Sequence, residues 1–371
     1  MNWSAIREEF PALKHWTFLN TATFGQMPNR SKAALDRHFE RRNRFACDDF
    51  VEWFDDMDRI RASIGRLIHC EADDVAFIPN ASTGISLLLS KLEWEPGDQI
   101  LTLQDEFPNQ LYYPAHLVAR GVELLVVRGE ELLDHVSERT RLVAISTVNY
   151  SNGYTAPVPE IAAHLRDRGI LLYLDGTQSV GALEFDAKAI QPDMLAVHCY
   201  KWMLSPNGAG FMYVAPSLRP KLEPAEIGWR SDRNWRAVDT LNHGEPEFSP
   251  DAQKYEAGML NFAGLYAMGE NLAMMHEIGP ARIEARVLEL AARVRGIVQS
   301  NGATVMHEGS PIVAAHFPQH DASRIARELK QQGVIAAARQ GNLRISPHFY
   351  NNEADLDRFE EILARIIDRT Q

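Results

Sequence analysis

Two residues within Leu171–Val214 stand where an acid and an amine can meet. One apolar run, Ile170–Asp175, ends on Asp175, and a second, Met194–His198, ends just before Tyr200 and Lys201. In a parallel sheet the carboxyl ends of the strands share one edge, and ligands bind there. The spacing therefore points Asp175 and Lys201 at a common crevice. On these two residues alone, a structural ion pair at the sheet edge and a catalytic pairing both stand.

The neighbours favour chemistry. Pyridoxal-phosphate enzymes need a lysine to form a Schiff base with the cofactor and an acid to keep its pyridine nitrogen protonated, so that the ring withdraws electrons from the substrate. They also need a phosphate cradle. Asn80-Ala81-Ser82-Thr83 follows the apolar run Val75–Ile78 and opens a helical pattern, whose free N–H groups favour an anion. Taken by itself the tetrapeptide is an ordinary helix cap. Other chemistries lack their residues. There is no G-x-G-x-x-G for a dinucleotide, and Gly176–Gly181 (GTQSVG) spaces its serine wrongly for a hydrolase elbow. The cysteines Cys47, Cys70 and Cys199 form no C-x-x-C pair, and Pro318 breaks the spacing of His316 and His320, so no metal site is expected.

The elements that must position these residues read as an α/β alternation. Strand candidates are Val75–Ile78, Gln99–Leu103, Glu123–Val127, Leu142–Val148, Ile170–Asp175, Met194–His198 and Gly210–Val214, with helices at Thr83–Leu92, Asn109–Arg120 and Pro159–Asp167. Residues Leu218–Pro250 lose the rhythm and read as a long irregular connection expected to shape substrate choice, whose Trp229 and Trp235 either favour an apolar or aromatic substrate side chain or pack the domain junction. A periodic stretch from Ala252 to Gln299 predicts two helices broken at Gly279-Pro280. A smaller α+β unit closes the chain: strands Thr304–His307, Ile312–Phe317, Val334–Ala338 and Leu343–Ser346, and helices Ala322–Gln331 and Glu353–Asp368. The basic run Arg37–Arg44 reads as a solvated or subunit-contact helix face.

Composition agrees with an ordinary folded chain. Of 371 residues, 45% are hydrophobic and 24% charged, and 38 Lys plus Arg against 50 Asp plus Glu leave a net charge of −12. That balance argues against nucleic-acid or anionic-membrane binding. No apolar run is long enough to span a membrane, and the odd cysteines suit a reducing, cytoplasmic setting.

The segments FLNTATFG (Phe18–Gly25), NAST (Asn80–Thr83), DEFPN (Asp105–Asn109), LDGTQSVG (Leu174–Gly181), HCYKW (His198–Trp202) and LRISPHFYN (Leu343–Asn351) together resemble the class V aminotransferase family of pyridoxal-phosphate enzymes. The likeness is to its epimerase-like, cysteine desulfurase-like and kynureninase-like group, and covers nearly the whole chain. It implies an α/β fold-type I architecture: an N-terminal segment (1–20), a large, mostly parallel sheet domain (21–280) and a small C-terminal α+β domain (281–371), in a homodimer. It also implies that Lys201 holds the cofactor, Asp175 pairs with the pyridine nitrogen and Gln178 bonds the phenolic oxygen. Ala81, Ser82, His198 and Tyr200 would hold the phosphate, and Phe107 would stack on the ring. Arg344 would grip the carboxylate of an amino acid substrate, with Asn20 and Asn152 nearby. The expected activity proceeds through an external aldimine and α-proton abstraction to transamination or carbon–sulfur β-elimination. Racemisation, kynureninase-like hydrolysis and a non-catalytic binding module are the alternatives. Two departures stand out. Met259 replaces a threonine that reaches the neighbouring subunit's phosphate, and Gly333–Arg344 lacks a catalytic cysteine, from which a persulfide-forming desulfurase is expected to be excluded.

Overall fold

The computed structural model of the chain describes residues 1–368. After a two-residue strand β1 (Thr17–Phe18) come β2 (Val75–Ile78), β3 (Gln99–Leu103), β4 (Glu123–Val127), β5 (Thr140–Ser146), β6 (Leu171–Asp175), β7 (Met194–His198) and β8 (Gly210–Val214). These last seven make one sheet in the order β2-β8-β7-β6-β5-β3-β4. All pairings from β7 to β4 are parallel, and only β8 runs against its neighbours. The near-continuous apolar sequence of these strands is the physical reason. β2, β3 and β8 are buried along their whole length, as a sheet covered on both faces requires.

Helix Ala81–Lys91 begins two residues earlier than its pattern suggested, because the Asn80 side chain caps it by accepting from Thr83 N. The predicted helix Asn109–Arg120 carries Pro114 and ends at Leu117, finishing as a 3-10 turn before Gly121. The stretch from Ala252 starts as a short 3-10 turn, and its helix proper runs Phe262–Ile278 from an Asn261 cap. Gly279, at positive φ, and Pro280 then separate it from Pro280–Ser300.

That second helix is shared by two apolar cores. Ile283 and Val287 join the core around the large sheet, whereas Leu290, Val294 and Val298 join a second core with Leu19, Val313, Leu343 and Phe359. The second core backs an antiparallel sheet of β9 (Thr304–Val305), β10 (Val313–His316), β12 (Ala337–Arg339) and β13 (Asn342–Ile345), in the order β12-β13-β10-β9. The predicted strand Val334–Ala338 divides, because its first half, β11 (Val334–Ile335), pairs with β1 and its second half with β13. The N-terminal segment is thus tied to the C-terminal end of the chain.

Between Leu218 and Pro250 the chain forms 3-10 turns and one isolated bridge, Asp232 to Phe248. Trp235 packs 4.7 Å from Phe54 and 5.7 Å from Trp229, so the two indoles consolidate the first core rather than stand open to a ligand. Two arginines of the basic helix meet protein carboxylates: Arg41 pairs with Asp49, Glu52 and Asp56, and Arg37 with Glu270.

Candidate active site

The carboxyl ends of β2, β3, β5, β6 and β7 lie on one edge, and each delivers part of the site. β6 stops at Asp175, whose buried carboxylate accepts from Thr177 N at 2.9 Å and from Gln110 Nε2 at 3.2 Å. β7 leads into His198 and on to Lys201, which is only 8% exposed. No direct ion pair joins Lys201 to Asp175 among the described residues. The Lys201 Nζ lies 5.5 and 5.7 Å from the ring centres of Tyr200 and Phe107. Burial pushes its amine down to about 8; Asp175 opposes that fall, and Arg344 and Arg339 add to it.

The loop bearing Lys201 is fixed by close backbone packing. Gly25 donates its N–H to Tyr200 O at 2.9 Å, and a Cβ there would lie 2.0 Å from Lys201 O. His348 Nε2 bonds Trp202 O at 2.8 Å. Gln178 is held by donating from Nε2 to Ala22 O and accepting at Oε1 from Trp202 Nε1.

At the start of helix Ala81–Lys91, Ala81 and Ser82 occupy the first turn, where backbone N–H groups have no intrahelical acceptor and no acidic side chain competes. The Ser82 hydroxyl donates to Asn109 Oδ1 at 2.9 Å. His198 is held neutral, its ring pushed down to about 4 by burial and by the Lys201 charge, and its buried Nε2 has no partner. Tyr200 stacks edge-on at 4.2 Å against that ring. A helix start and an orphaned imidazole on the same sheet edge fit a phosphate, and the Asp175–Lys201 pair fits the rest of a pyridoxal ring. Phe107 packs edge-on against Tyr150 at 5.3 Å.

Arg344 is almost wholly buried without a carboxylate partner among the described residues. It donates to Tyr150 O at 2.6 Å, to Asn20 Oδ1 at 3.2 Å and to Thr23 Oγ1, while its Nε has no acceptor. Burial and the nearby Arg339 both disfavour its charge. Asn20 is therefore brought to Arg344. Asn152, two residues beyond Tyr150, accepts at Oδ1 from Tyr154 N within its own turn. Met259 is 59% exposed, and neighbouring Asn261 reaches Gly208 O. Cys199 is buried, and burial pushes its thiol up.

Five polar residues that the sequence did not single out complete the site. Gln110 and Thr177 hold Asp175, Thr23 meets Arg344, and Arg339 lies in electrostatic reach of Lys201 and Arg344. Glu106, buried, accepts from Ser146 N and Ser146 Oγ at 2.6 Å each, and burial pushes it up to about 7. Only the DEFPN segment hinted at Glu106. Thr177 bonds Asp175 locally, two residues on, and Thr23 lies within FLNTATFG, whereas Gln110 and Arg339 owe their positions to chain crossings with no local pattern.

The aminotransferase class-V family model matches residues 50–359. A probable cysteine desulfurase of Methanothermobacter thermautotrophicus is 25% identical over 99% of this chain and 98% of its own. Isopenicillin N epimerase of Streptomyces clavuligerus is 28% identical over 93% of each chain. Among solved structures, the complex between the cystine C–S lyase C-DES and its reaction product cysteine persulfide superposes with a TM-score of 0.88 at 19% identity, covering 96% of this chain and 99% of that one.

These likenesses correct one expectation. The exclusion of persulfide-forming desulfurases does not stand, because the desulfurase name recurs among the relatives and among the solved structures. A persulfide can form on a substrate's own sulfur, so the lack of cysteine in Gly333–Arg344 is no ground for it. With the family match spanning most of the chain and the site built as described, this protein belongs to the aminotransferase class-V family, α/β enzymes of fold type I whose cofactor is pyridoxal phosphate.

Proposed function

We propose that the protein cleaves a carbon–sulfur bond in an α-amino acid by removing the α-proton. The observation that carries the amino acid reading is Arg344, a buried guanidinium with free donors and no protein carboxylate, beside the buried amine of Lys201. The carbon–sulfur reading is supported by the names of the desulfurase and lyase relatives.

When bound, pyridoxal phosphate supplies a conjugated ring that accepts the electron pair left at the α-carbon. Lys201 would hold its aldehyde carbon, Asp175 its pyridine nitrogen and Gln178 its phenolic oxygen. Ala81 N–H, Ser82, His198 and Tyr200 would hold its phosphate, with Phe107 beside the ring. Arg344 would bind the substrate carboxylate through its fork, with Asn20 and Thr23 fixing the guanidinium plane. That grip orients the α-carbon, and the Lys201 amine, freed when the substrate amine takes its place and lowered by burial to about 8, would take the proton there. The thiolate or persulfide then leaves the β-carbon. The geometry suits a homodimer with this edge at the subunit contact, since Phe24, Phe107 and Met259 are left exposed beside it.

The test is to offer the cofactor-loaded protein cysteine, cystine and cysteine thioethers, assaying pyruvate, ammonia, alanine and sulfide. Sulfur release that vanishes in Lys201→Ala supports the reading. Formation of a keto acid with retention of sulfur, or inversion at the α-carbon alone, overturns it.

A further inference from the structure

The hairpin that carries Arg344 presents a second guanidinium on the same face. β12 and β13 are antiparallel, with Ala337 opposite Arg344 and Arg339 opposite Asn342. Paired residues share a face, and so do residues two apart on one strand, so Arg339 and Arg344 are diagonal neighbours on one side of the hairpin. The left-handed residues Gln340 and Gly341 make the tight turn between the strands. Both side chains reach one hydroxyl: Arg339 Nη2 lies 3.4 Å from Thr23 Oγ1, and Arg344 donates to the same atom.

Neither guanidinium has an acid. Arg339 forms no ion pair among the described residues; apart from Thr23 its recorded bond is from Nη1 to the carbonyl of Ala338, at 2.8 Å. Nearby acids are committed elsewhere, Asp175 to Gln110 and Thr177, and Glu106 to Ser146 and Phe107 N. Two like charges held on one threonine repel unless anions come between them. One α-carboxylate satisfies Arg344 and leaves Arg339 uncompensated.

We propose that Arg339 binds a second anionic group, a carboxylate or similar oxyanion, on the side chain of the substrate, so that the enzyme selects amino acids with a negatively charged distal end. The half-open position of Arg339 at the hairpin tip, outward of the buried Arg344, suits a group at the far end of the substrate. This inference rests on the amino acid reading above and narrows its substrate class.

The test uses two nearly isosteric substrates, S-carboxymethylcysteine and S-carbamoylmethylcysteine, which differ in the distal charge. The expected kcat/KM ratio in favour of the carboxylate is about tenfold or more. In Arg339→Gln this ratio falls to within about twofold of unity, and Arg339→Lys, which keeps charge but not the fork, retains part of it. Equal rates on both compounds in the unaltered enzyme overturn the proposal, as does Arg339→Gln slowing both by the same factor. Calorimetric titration of the holoenzyme with glutarate and its monoamide separates this from failure of the proposed reaction. If neither cysteine derivative is consumed while glutarate binds preferentially and only through Arg339, the carbon–sulfur reading falls and the second anion site stands. If glutarate and its monoamide bind alike, the anion site falls.

Discussion

The apoprotein should expose the perturbed amine of Lys201 directly. A freely exposed lysine titrates near ~10.4, whereas burial brings Lys201 to about 8. At pH 7 about one Lys201 side chain in ten is then neutral, against fewer than about one in a thousand for the exposed lysine. Competitive acetylation of the apoprotein over a range of pH, read peptide by peptide by mass spectrometry, gives the midpoint without needing any turnover. Burial slows the reaction at every pH, so the midpoint and not the rate carries the information. Two variants supply opposite signs. Asp175 raises the Lys201 value, so Asp175→Asn moves the midpoint lower; Arg339 lowers it, so Arg339→Gln moves the midpoint higher. A midpoint in the ordinary lysine range, or a shift of both variants in the same direction, refutes the electrostatic account.

The same amine weakens the empty fold. Between about 8 and ~10.4 the folded chain binds fewer protons than the unfolded one, so stability rises with pH across that window. Lys201→Met should therefore raise apoprotein stability at pH 7 by up to about 3 kcal/mol, with the gain fading above pH 8, as urea unfolding would show. Glu106 has the reverse sign. Its folded value of about 7 exceeds the unfolded 4.5, so its contribution is complete below 4.5 and is lost as pH rises through 7. Glu106→Gln should flatten that slope, worth about 3 kcal/mol, and a slope unchanged in the variant would count against it. Against the edge strand β2, buried Glu256 accepts from Arg61 at 2.6 Å, from Arg230 at 2.9 Å and from Phe77 N at 2.7 Å. Glu256→Gln leaves Arg230 without its acid and Arg61 with only the more distant Asp58, and should cost about 3–5 kcal/mol in denaturant unfolding; a loss within experimental error would mean that solvent reaches the cluster.

How legible was this in the residues? The large sheet was readable because a two-sided sheet demands short apolar runs, and each of its seven runs became a strand within two residues of its predicted ends. Helix Ala322–Gln331 was readable because Asp321 caps it and its apolar face is regular. Where a local pattern served two partners, reading failed. Val334–Ala338 looked like one strand, but pairing with both β1 and β13 splits it, and nothing in five residues encodes which neighbour each half will meet. The tryptophans of the irregular connection stayed open between a ligand wall and a packed junction for a related reason. An indole in a loop suggests a ligand wall, and only packing against Phe54 shows that it faces the core.

In the site, what could be read was what the chain encodes within a few residues. Asp175 ends an apolar strand, Lys201 follows another by three residues and NAST opens a helix, so strand and helix ends bring them to one edge. Arg344 and Asn20 came from their flanking segments, whereas Thr23 and Tyr150 lie more than 190 residues from Arg344, and the N-terminal residues meet it because β1 joins β11 and Asn20 bridges Ser346. The same crossing explains why Arg339 went unnoticed. In a single strand, arginines five apart give no sign of convergence. The tight turn between them reverses the chain, places both on one face, and sets Thr23 from the opposite end of the sequence beneath them. The paired guanidiniums are thus a property of the hairpin and the N-terminal segment together, and on the reading proposed above it is this end, rather than the Asp175–Lys201 edge, that distinguishes one amino acid from another.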